Sequence, residues 1–196
     1  MKVITHLAQV DGDRCTGDKL CEGMCLTGAI KVVAKKATVD ERLCVACRKC
    51  MDVCREAAVS IAPRTRALTL GTDFSGLDPA AIDDLCDRAH LDPEEFICRC
   101  SFTSVKEAAA AVLKGARSPD DVTLMTGARS RCGMYCISPI LRLLNAHNAD
   151  LTPLEGRGWY NVKVNMWDIP SEVARKYPEY YLEEDREREK TMSSAL

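Results

Sequence analysis

The 196-residue sequence is short of several residue types and patterns, and each shortage excludes a class of protein. Aromatic residues make up only 5% of the chain, so large aromatic side chains cannot dominate its core. The formal net charge is −2, which gives no electrostatic reason to expect binding to nucleic acid or to a membrane surface. No apolar run reaches the roughly 18 residues that a membrane-spanning helix needs.

Motifs that bind organic cofactors and substrates are also missing. The sequence has no G-x-G-x-x-G dinucleotide fingerprint, no P-loop, no G-x-S-x-G elbow and no H-E-x-x-H zinc motif. Its three histidines, His6, His90 and His147, are scattered along the chain and suggest no shared site. We therefore predict no catalytic residues for converting a substrate in this chain.

Cysteine is the residue that the chain has in excess, with 12 copies. They fall in C-x-C and C-x-x-C clusters, whose closely spaced members make poor disulfide staples. Residues 1–15 lack the apolar segment of a secretory signal, so we expect a cytoplasmic protein whose thiols stay reduced. Clustered cysteines in that compartment indicate metal or iron–sulfur binding.

Seven of the cysteines lie between positions 15 and 54 and form two copies of one spacing. The second copy reads C-x-x-C-x-x-C-x-x-x-C, the spacing of a bacterial iron–sulfur run. It consists of Cys44, Cys47, Cys50 and Cys54. The first copy has the same spacing, with a carboxylate at its second position. It consists of Cys15, Asp18, Cys21 and Cys25. Residues 1–10 are predicted to be a strand, and residues 30–39 a hairpin that turns at Lys35-Lys36. Small residues and a predicted strand follow each copy, so we expect a pseudo-twofold pair of cluster-binding loops.

Residues 5–62 resemble a bacterial two-cluster ferredoxin domain. The phrases that carry the resemblance are Cys15-Thr16-Gly17, Cys25-Leu26-Thr27-Gly28-Ala29-Ile30 and Cys44-Val45-Ala46-Cys47-Arg48-Lys49-Cys50. The resemblance implies that the fourth cysteine of each run ligates the cluster of the other run. Cluster I would then be held by Cys15, Asp18, Cys21 and Cys54. Cluster II would be held by Cys25, Cys44, Cys47 and Cys50. Leu26 and Arg55 stand where this family has a proline after each fourth cysteine, and an arginine beside a cluster sulfur would favour the reduced state.

Asp18 leaves three alternatives open for cluster I. It would ligate the fourth iron of a [4Fe-4S] cluster through oxygen, leave that corner open in a [3Fe-4S] cluster, or take no part while Lys19 or a partner shapes the site. Because thiolate is a soft ligand and carboxylate a hard one, the iron at that corner should be the more labile. We predict an unusual cluster I of either kind and a [4Fe-4S] cluster II. Two zinc sites are the alternative, which the C-x-x-C-x-x-C-x-x-x-C run disfavours.

A second cysteine motif lies between positions 98 and 136. It consists of Cys98, Cys100, Cys132 and Cys136. The residues between its halves predict two short helices, which end at Gly115 and Gly127, and Ser118 is predicted to begin the second of them. Residues 137–144 predict a third helix. This pattern resembles the [2Fe-2S] domain of the bacterioferritin-associated ferredoxin family, also found inside flavin-dependent dehydrogenases. The resemblance implies that the four cysteines ligate a [2Fe-2S] cluster; a zinc site is the alternative, since four thiolates also suit zinc.

The remaining segments carry no cluster motif. Residues 63–95 are predicted to be a connector with one helix, which Asp78 caps and Pro79 begins. Its lone Cys86 is predicted to be a buried apolar residue. Residues 149–196 are predicted to be an aromatic and charged arm, and it either docks on a partner or folds back over the chain's own cluster domains. Its aromatic residues include Trp159, Trp167, Tyr177, Tyr180 and Tyr181.

These features together predict an α+β chain with a ferredoxin-like two-cluster domain over residues 1–62. A small all-helical [2Fe-2S] domain over residues 96–148 and an extended C-terminal tail would follow. The predicted function is that of an iron–sulfur subunit that relays single electrons within a larger oxidoreductase, with a flavoprotein as its expected partner. By resemblance, small subunits of this kind occur with amine, proline or glycerol phosphate dehydrogenases. A redox-responsive binding protein that docks on an iron-storage shell or a regulator, and a freestanding soluble electron carrier, are the alternatives.

Overall fold

The computed structural model describes residues 1–152 and 169–193, whose mixture of helices and strands is that of an α+β chain. The chain divides into two compact units, Met1–Asn161 and Val162–Leu196. The segments predicted as two-cluster domain, connector and [2Fe-2S] domain all lie in the first unit. In the part of the chain that the structure describes, no helix combines the length and the apolar character needed to cross a membrane.

Two long antiparallel strands, β1 (Lys2–Val10) and β4 (Val59–Leu70), frame the N-terminal half of the first unit. The predicted strand at residues 1–10 is thus confirmed. The strand predicted after the second cysteine run continues to Leu70, further than expected. Pro63 argued against that length, because proline cannot donate to a β-ladder. It is accommodated because the register of β1 and β4 shifts beside it, between Ile4 and His6.

A hairpin and two very short helices fill the space between β1 and β4. The predicted hairpin is confirmed as β2 (Ile30–Val33) and β3 (Lys36–Val39). Helices α1 (Leu20–Met24) and α2 (Lys49–Val53) each lie inside a cysteine run. They were not predicted, since five residues are too few to show a helical period. A small core lies beneath them, and it includes Ala8, Ala29, Ile30, Val59 and several of the cysteines.

Four helices pack around one core in the second half of the first unit. They are α3 (Pro79–Arg88), α4 (Val105–Leu113), α5 (Pro119–Thr126) and α6 (Ile137–Ala146). The predicted caps are confirmed: the Asp78 side chain accepts a hydrogen bond from the Ala80 amide, and Ser118 forms a capping box with Asp121. Cys86 is fully buried in this core, as predicted.

The prediction of an all-helical domain here was wrong in one respect. Two short strands, β5 (Phe96–Cys98) and β6 (Thr103–Ser104), pair antiparallel just before α4. The C-x-C sequence occupies the end of β5 and the turn that reverses the chain between the strands. A pair of two- and three-residue strands has no alternating pattern to reveal it, which is why periodicity did not predict it.

A partly buried ion pair joins the two halves of the first unit. Lys2 at the start of β1 donates to both carboxylate oxygens of Glu107 in α4, at 2.8 Å each. The Thr72 amide, just after β4, donates to the same carboxylate at 3.2 Å. The amide of Gly71 and the hydroxyl of Thr72 both donate to the carbonyl of Met125 in α5, at 3.0 Å. These bonds fix the ends of the two long strands against the helical half.

The described part of the second unit is helical, which corrects the prediction of an extended tail. It contains α7 (Ser171–Lys176), a 3₁₀ turn (Pro178–Tyr180) and α8 (Leu182–Ser193). Acidic residues at 183–185 favour the start of α8, because they lie at the positive end of its dipole. Tyr180 and Tyr181 are exposed. The predicted arm residues Trp159 and Trp167 lie outside the described residues, and the choice between a docking arm and a folded-back one stays a prediction.

Candidate cluster-binding sites

The two cysteine loops of the N-terminal half repeat in backbone structure at a fixed offset of 29 positions. The amides of Cys15 and Cys44, the first cysteines, donate to the carbonyls of Asp11 and Asp40 at 3.0 and 3.1 Å. Positive φ angles recur two and four residues after the first cysteine in each loop. These residues are Gly17 and Lys19 in one loop and Ala46 and Arg48 in the other. The sequence repeat is therefore also a structural one.

The four residues predicted for cluster I line one pocket. They are Cys15, Asp18, Cys21 and Cys54. Gly17 lets the loop close over this pocket: its φ is 75°, and a Cβ there would lie 2.6 Å from the backbone of Lys35. The pocket is thus built from the first loop, the hairpin turn and the last cysteine of the second loop.

The four residues predicted for cluster II line a second pocket. They are Cys25, Cys44, Cys47 and Cys50. Each pocket therefore takes three donors from one run and one cysteine from the other. The two linings also correspond residue by residue: Ala58 and Val59 of the first pocket match Ala29 and Ile30 of the second.

Backbone amides surround the cysteine sulfurs of these pockets. The amide of Ala8 donates to Cys44 Sγ at 3.4 Å, and the amide of Ala58 donates to Cys54 Sγ at 3.3 Å. Burial raises the pKa of Cys50 to about 12, because the neutral thiol is favoured away from water. A bound cation reverses that preference, since a coordinating thiol is deprotonated outright. Thiols that are buried, convergent and surrounded by N–H donors fit a cluster whose potential such bonds tune.

Asp18 occupies the structural position of a cysteine. Its twofold counterpart is Cys47, whose sulfur accepts a hydrogen bond from the amide of Lys49, two residues further on. Asp18 Oδ1 accepts the equivalent bond from the amide of Leu20 at 3.1 Å. The carboxylate is exposed and its other oxygen has no hydrogen bond in the described part of the chain. Asp18 therefore offers an oxygen donor to the pocket where the other loop offers a sulfur.

The helical half brings together the four cysteines of the second motif. Cys98 ends β5, Cys100 lies in the turn after it, and Cys132 and Cys136 immediately precede α6. Cys100 Sγ and Cys132 Sγ are 3.5 Å apart. The Cys136 thiol donates to Cys98, which lowers the pKa of Cys98 to about 5 and raises the pKa of Cys136. Two thiol pairs thus form one four-sulfur site.

A buried arginine supports this four-sulfur site. The backbone amide of Arg129 bonds to the sulfurs of Cys98 and Cys136. Its side chain is only 2% exposed and forms an ion pair with Asp120, in α5, at 3.4 Å. Arg129 thereby fixes the segment between α5 and α6 through both its backbone amide and its side chain.

Three large exposed side chains lie within three residues of the cysteines of the four-sulfur site in the sequence. Phe102, Met134 and Tyr135 are 75%, 71% and 91% exposed. Arg99 and Arg131, each next to a cysteine, are also exposed. Exposed aromatic, methionine and arginine side chains are the types that protein interfaces favour.

The loop that carries Cys132 and Cys136 also touches the N-terminal half. A Cβ at Gly133 would lie 3.1 Å from Leu26 Cδ1 and 3.5 Å from Lys49 Cε. Leu26 and Lys49 are the sequence neighbours of Cys25 and Cys50, which line the second pocket. A cleft of about 410 Å³ continues this contact, and its walls include Cys47, Arg48, Ser130 and Arg131. The four-sulfur site therefore adjoins the second pocket.

Comparison with known proteins identifies this part of the chain. Residues 96–146 match the family model of the BFD-like [2Fe-2S] binding domain. The predicted resemblance to that family is thereby confirmed, and the match supports a [2Fe-2S] cluster with an iron–sulfur electron-transfer or redox function in this domain. The assignment of Cys98, Cys100, Cys132 and Cys136 as its ligands stays a prediction. The match covers about a quarter of the chain. No curated protein matches the chain, and no solved structure matches it.

Neither the family match nor the geometry identifies the contents of the two N-terminal pockets. Across residues 1–152 and 169–193, no group of three or more His, Cys, Asp or Glu side chains is arranged to hold a single metal ion. The [4Fe-4S] and [3Fe-4S] clusters predicted there accordingly remain proposals.

Sequence reasoning missed several residues around these sites. The buried Arg129–Asp120 pair carries no local sequence signal, because its partners meet only when α5 packs beside the cysteine loop. The exposed Phe102 and Tyr135 could have been suspected, since each lies within three residues of a motif cysteine. The contact of Gly133 with Leu26 depends on the packing of the two halves, which no motif spacing records.

Proposed function

We propose that this chain is an electron-transfer iron–sulfur protein with three clusters, acting as a relay subunit within a larger oxidoreductase. The [2Fe-2S] domain supplies one redox centre. The observation that carries the proposal is the twofold pair of thiol-lined pockets beside that domain, each with a donor from the opposite loop. Clusters carry single electrons, and the protein positions, insulates and tunes them.

The donor sets support a [4Fe-4S] cluster in the second pocket and an unusual cluster in the first. Four thiols converge on the second pocket, which is the ligand set that a [4Fe-4S] cluster takes. The first pocket has three thiols and Asp18, whose oxygen receives the hydrogen bond that Cys47 receives as sulfur. This equivalence favours two roles for Asp18: a ligand, or the residue at the open corner of a [3Fe-4S] cluster. It disfavours the alternative that Asp18 takes no part in the site.

The packing supports an order for the relay. Gly133 lies against residues that adjoin Cys25 and Cys50, so the [2Fe-2S] cluster is next to cluster II. Cluster II in turn shares the core of the N-terminal half with cluster I. Electrons would pass between the [2Fe-2S] cluster and cluster I through cluster II, in either direction.

A protein partner is proposed at the exposed face of the [2Fe-2S] domain. Phe102, Met134 and Tyr135 are largely exposed beside its ligand loops, and Arg99 and Arg131 flank them. A partner that covers this face would bring its own redox centre close to the [2Fe-2S] cluster. A flavoprotein subunit is the proposed partner, because flavins exchange both electron pairs with substrates and single electrons with clusters.

Anaerobic iron and sulfide analysis with EPR spectroscopy tests the cluster content. The proposal predicts roughly nine or ten irons per chain, from two cubane-type clusters and one [2Fe-2S] cluster. Two irons, or zinc in the N-terminal half, would refute the two N-terminal clusters. Asp18→Cys should convert the spectrum of cluster I to that of an ordinary [4Fe-4S] cluster, and an unchanged spectrum would mean that Asp18 has no role at the iron.

Purification from the native cell tests the assignment as a subunit. A stoichiometric flavoprotein that remains bound through two chromatography steps would support it. Replacing Tyr135 by Ser should weaken that association, and replacing the exposed Phe74, an aromatic residue outside both this face and the predicted arm, serves as the comparison. Recovery only as a free monomer would favour the freestanding carrier instead.

A further inference from the structure

Two cations contact equivalent positions of the two ligand loops. In the first loop, Lys36 Nζ donates to the carbonyl of Cys15 at 3.1 Å and to the carbonyl of Gly12. In the second loop, Arg64 donates through one nitrogen to the carbonyl of Cys44 at 2.8 Å and through another to the carbonyl of Glu41. Each cation therefore contacts the carbonyl of the first cysteine and the carbonyl three residues before it.

The acceptors are related by the internal repeat, but the donors are not. Cys15 and Cys44, like Gly12 and Glu41, are separated by the offset of 29 positions. Lys36 begins β3, whereas Arg64 lies within β4, and the position 29 residues after Lys36 is Thr65. Two different strands thus each supply a cation to an equivalent pair of carbonyls, and duplication of a single residue does not explain this arrangement.

Neither positive charge is neutralised nearby. In the described part of the chain, no ion pair joins Lys36 or Arg64 to a carboxylate. Their polar contacts are to backbone carbonyls, which carry no net charge. Both cations contact the backbone of a ligating cysteine. Arg64 is partly buried, so its charge acts on the cluster with little screening, whereas Lys36 is exposed and solvent screens its charge more strongly.

We propose that Lys36 and Arg64 are matched positioning residues, each holding the first ligand of one cluster and favouring the reduced state of that cluster. The inference rests on the proposed function, because it requires clusters in both pockets. On reduction, the oxidised cluster accepts one electron from an external reductant and becomes one unit more negative. A nearby cation stabilises that product more than the oxidised form, so Lys36 acts on cluster I and Arg64 on cluster II.

Redox titration of the full chain with dithionite and mediators, followed by EPR, tests the proposal. At the wild-type midpoint of cluster II, Arg64→Gln should lower the ratio of reduced to oxidised cluster II roughly tenfold, equivalent to about 59 mV for one electron. Cluster I should shift far less in that variant. Lys36→Met should give the reciprocal result, with cluster I shifted and cluster II nearly unchanged.

Matched variants separate charge from loop geometry. Arg66→Gln removes a neighbouring exposed cation that has no carbonyl contact in the described structure, and it should leave both midpoints in place. Lys36→Arg and Arg64→Lys retain the charge and should retain the wild-type midpoints. Lys36 is exposed, so Lys36→Met tests the inference even if Arg64→Gln gives little folded protein.

Three results would overturn the inference. These are loss of iron with unchanged midpoints of the remaining clusters, an equal midpoint shift in the control variant Arg66→Gln, and a shift in the conservative variants as large as in the neutral ones. All three presuppose that the wild-type chain shows both N-terminal clusters. A wild-type chain without them would instead refute the proposed function, so the two failures are distinguishable.

Discussion

Replacing the buried Arg129 by Met tests how the [2Fe-2S] domain is held together. Arg129 is 2% exposed and the side chain of Asp120, its partner 3.4 Å away, is 12% exposed. Met has a similar length and removes the charge alone, so Asp120 would remain as a largely buried carboxylate that has lost its ion pair with Arg129. Breaking a buried pair in this way costs about 3–5 kcal/mol, because the attraction that offset the desolvation of the remaining charge is gone.

The double variant supplies the sharper half of the prediction. In Arg129→Met with Asp120→Asn, no uncompensated charge remains, so a large part of the loss should be recovered. The two residues are in contact, so their effects should be far from additive. As a comparison, Arg88 and Asp84 form a pair whose side chains are 47% and 66% exposed. Arg88→Met should cost only about 0–1 kcal/mol, as exposed pairs do.

Native-state hydrogen exchange of the intact, anaerobic protein measures these effects without requiring reversible unfolding. Peptides from α4 and α5 report the opening free energy of this core. Arg129→Met should speed their exchange by about a hundredfold or more, at 1.36 kcal/mol per factor of ten. Equal hydrogen-exchange rates in Arg129→Met and Arg88→Met would refute the reasoning. A double variant whose loss of stability equals the sum of the losses in the two single variants would refute it as well.

Three further predictions concern the ligand loop, the carboxylate donor and pH. Gly17→Ala should remove cluster I selectively, because its Cβ would lie 2.6 Å from the Lys35 backbone, whereas Gly12→Ala has open space and should keep wild-type iron content and EPR spectra. An iron chelator should remove one iron from cluster I of the oxidised wild-type chain faster than from Asp18→Cys, and equal rates would exclude Asp18 as the weak corner. Burial, followed by the charges of Arg117 and Arg88, lowers the pKa of His147 below 6.5. Neutral His147 therefore contributes its full stability above pH 6.5, and this contribution is lost as the pH falls toward the lowered pKa. Thermal denaturation of His147→Gln between pH 7 and 5.5 should show a weaker pH dependence than that of the wild type.

The sequence predicted those elements that local patterns specify. The hairpin over residues 30–39 and the helices begun by Asp78 and Ser118 follow from turn and capping residues, which act within a few positions. The C-x-x-C-x-x-C-x-x-x-C spacing and its imperfect copy identified the eight donors, and the resemblance to two-cluster ferredoxins implied that the runs exchange their fourth cysteines. The structure brings three donors of each run and the fourth cysteine of the other run to one pocket. Spacing succeeds for the first three donors because they lie close together in the chain, whereas the exchange of Cys25 and Cys54 depends on the fold.

Features that depend on packing between distant segments could not be predicted. The Lys2–Glu107 bond and the Arg129–Asp120 pair have no signal in either partner's neighbourhood. The short strands β5 and β6 flank the C-x-C turn, whose cysteines meet Cys132 and Cys136 from about thirty residues further along the chain. The motif and the resemblance identified the four cysteines of this site, while the burial of Arg129 beside them depends on tertiary structure.

The internal repeat also shows where a departure from it has consequences. Asp18 and Cys47 occupy equivalent positions and receive the same backbone hydrogen bond, but their surroundings differ. Cys47 is partly buried and lines the cleft shared with Ser130 and Arg131, beside the [2Fe-2S] loop, whereas Asp18 is exposed. A weakly held iron at Cys47 would lie on the proposed electron path between two clusters. A weakly held iron at Asp18 would instead lie at the exposed edge of cluster I, the last cluster of the proposed relay. Loss of that iron would leave the contact between cluster II and the [2Fe-2S] domain intact.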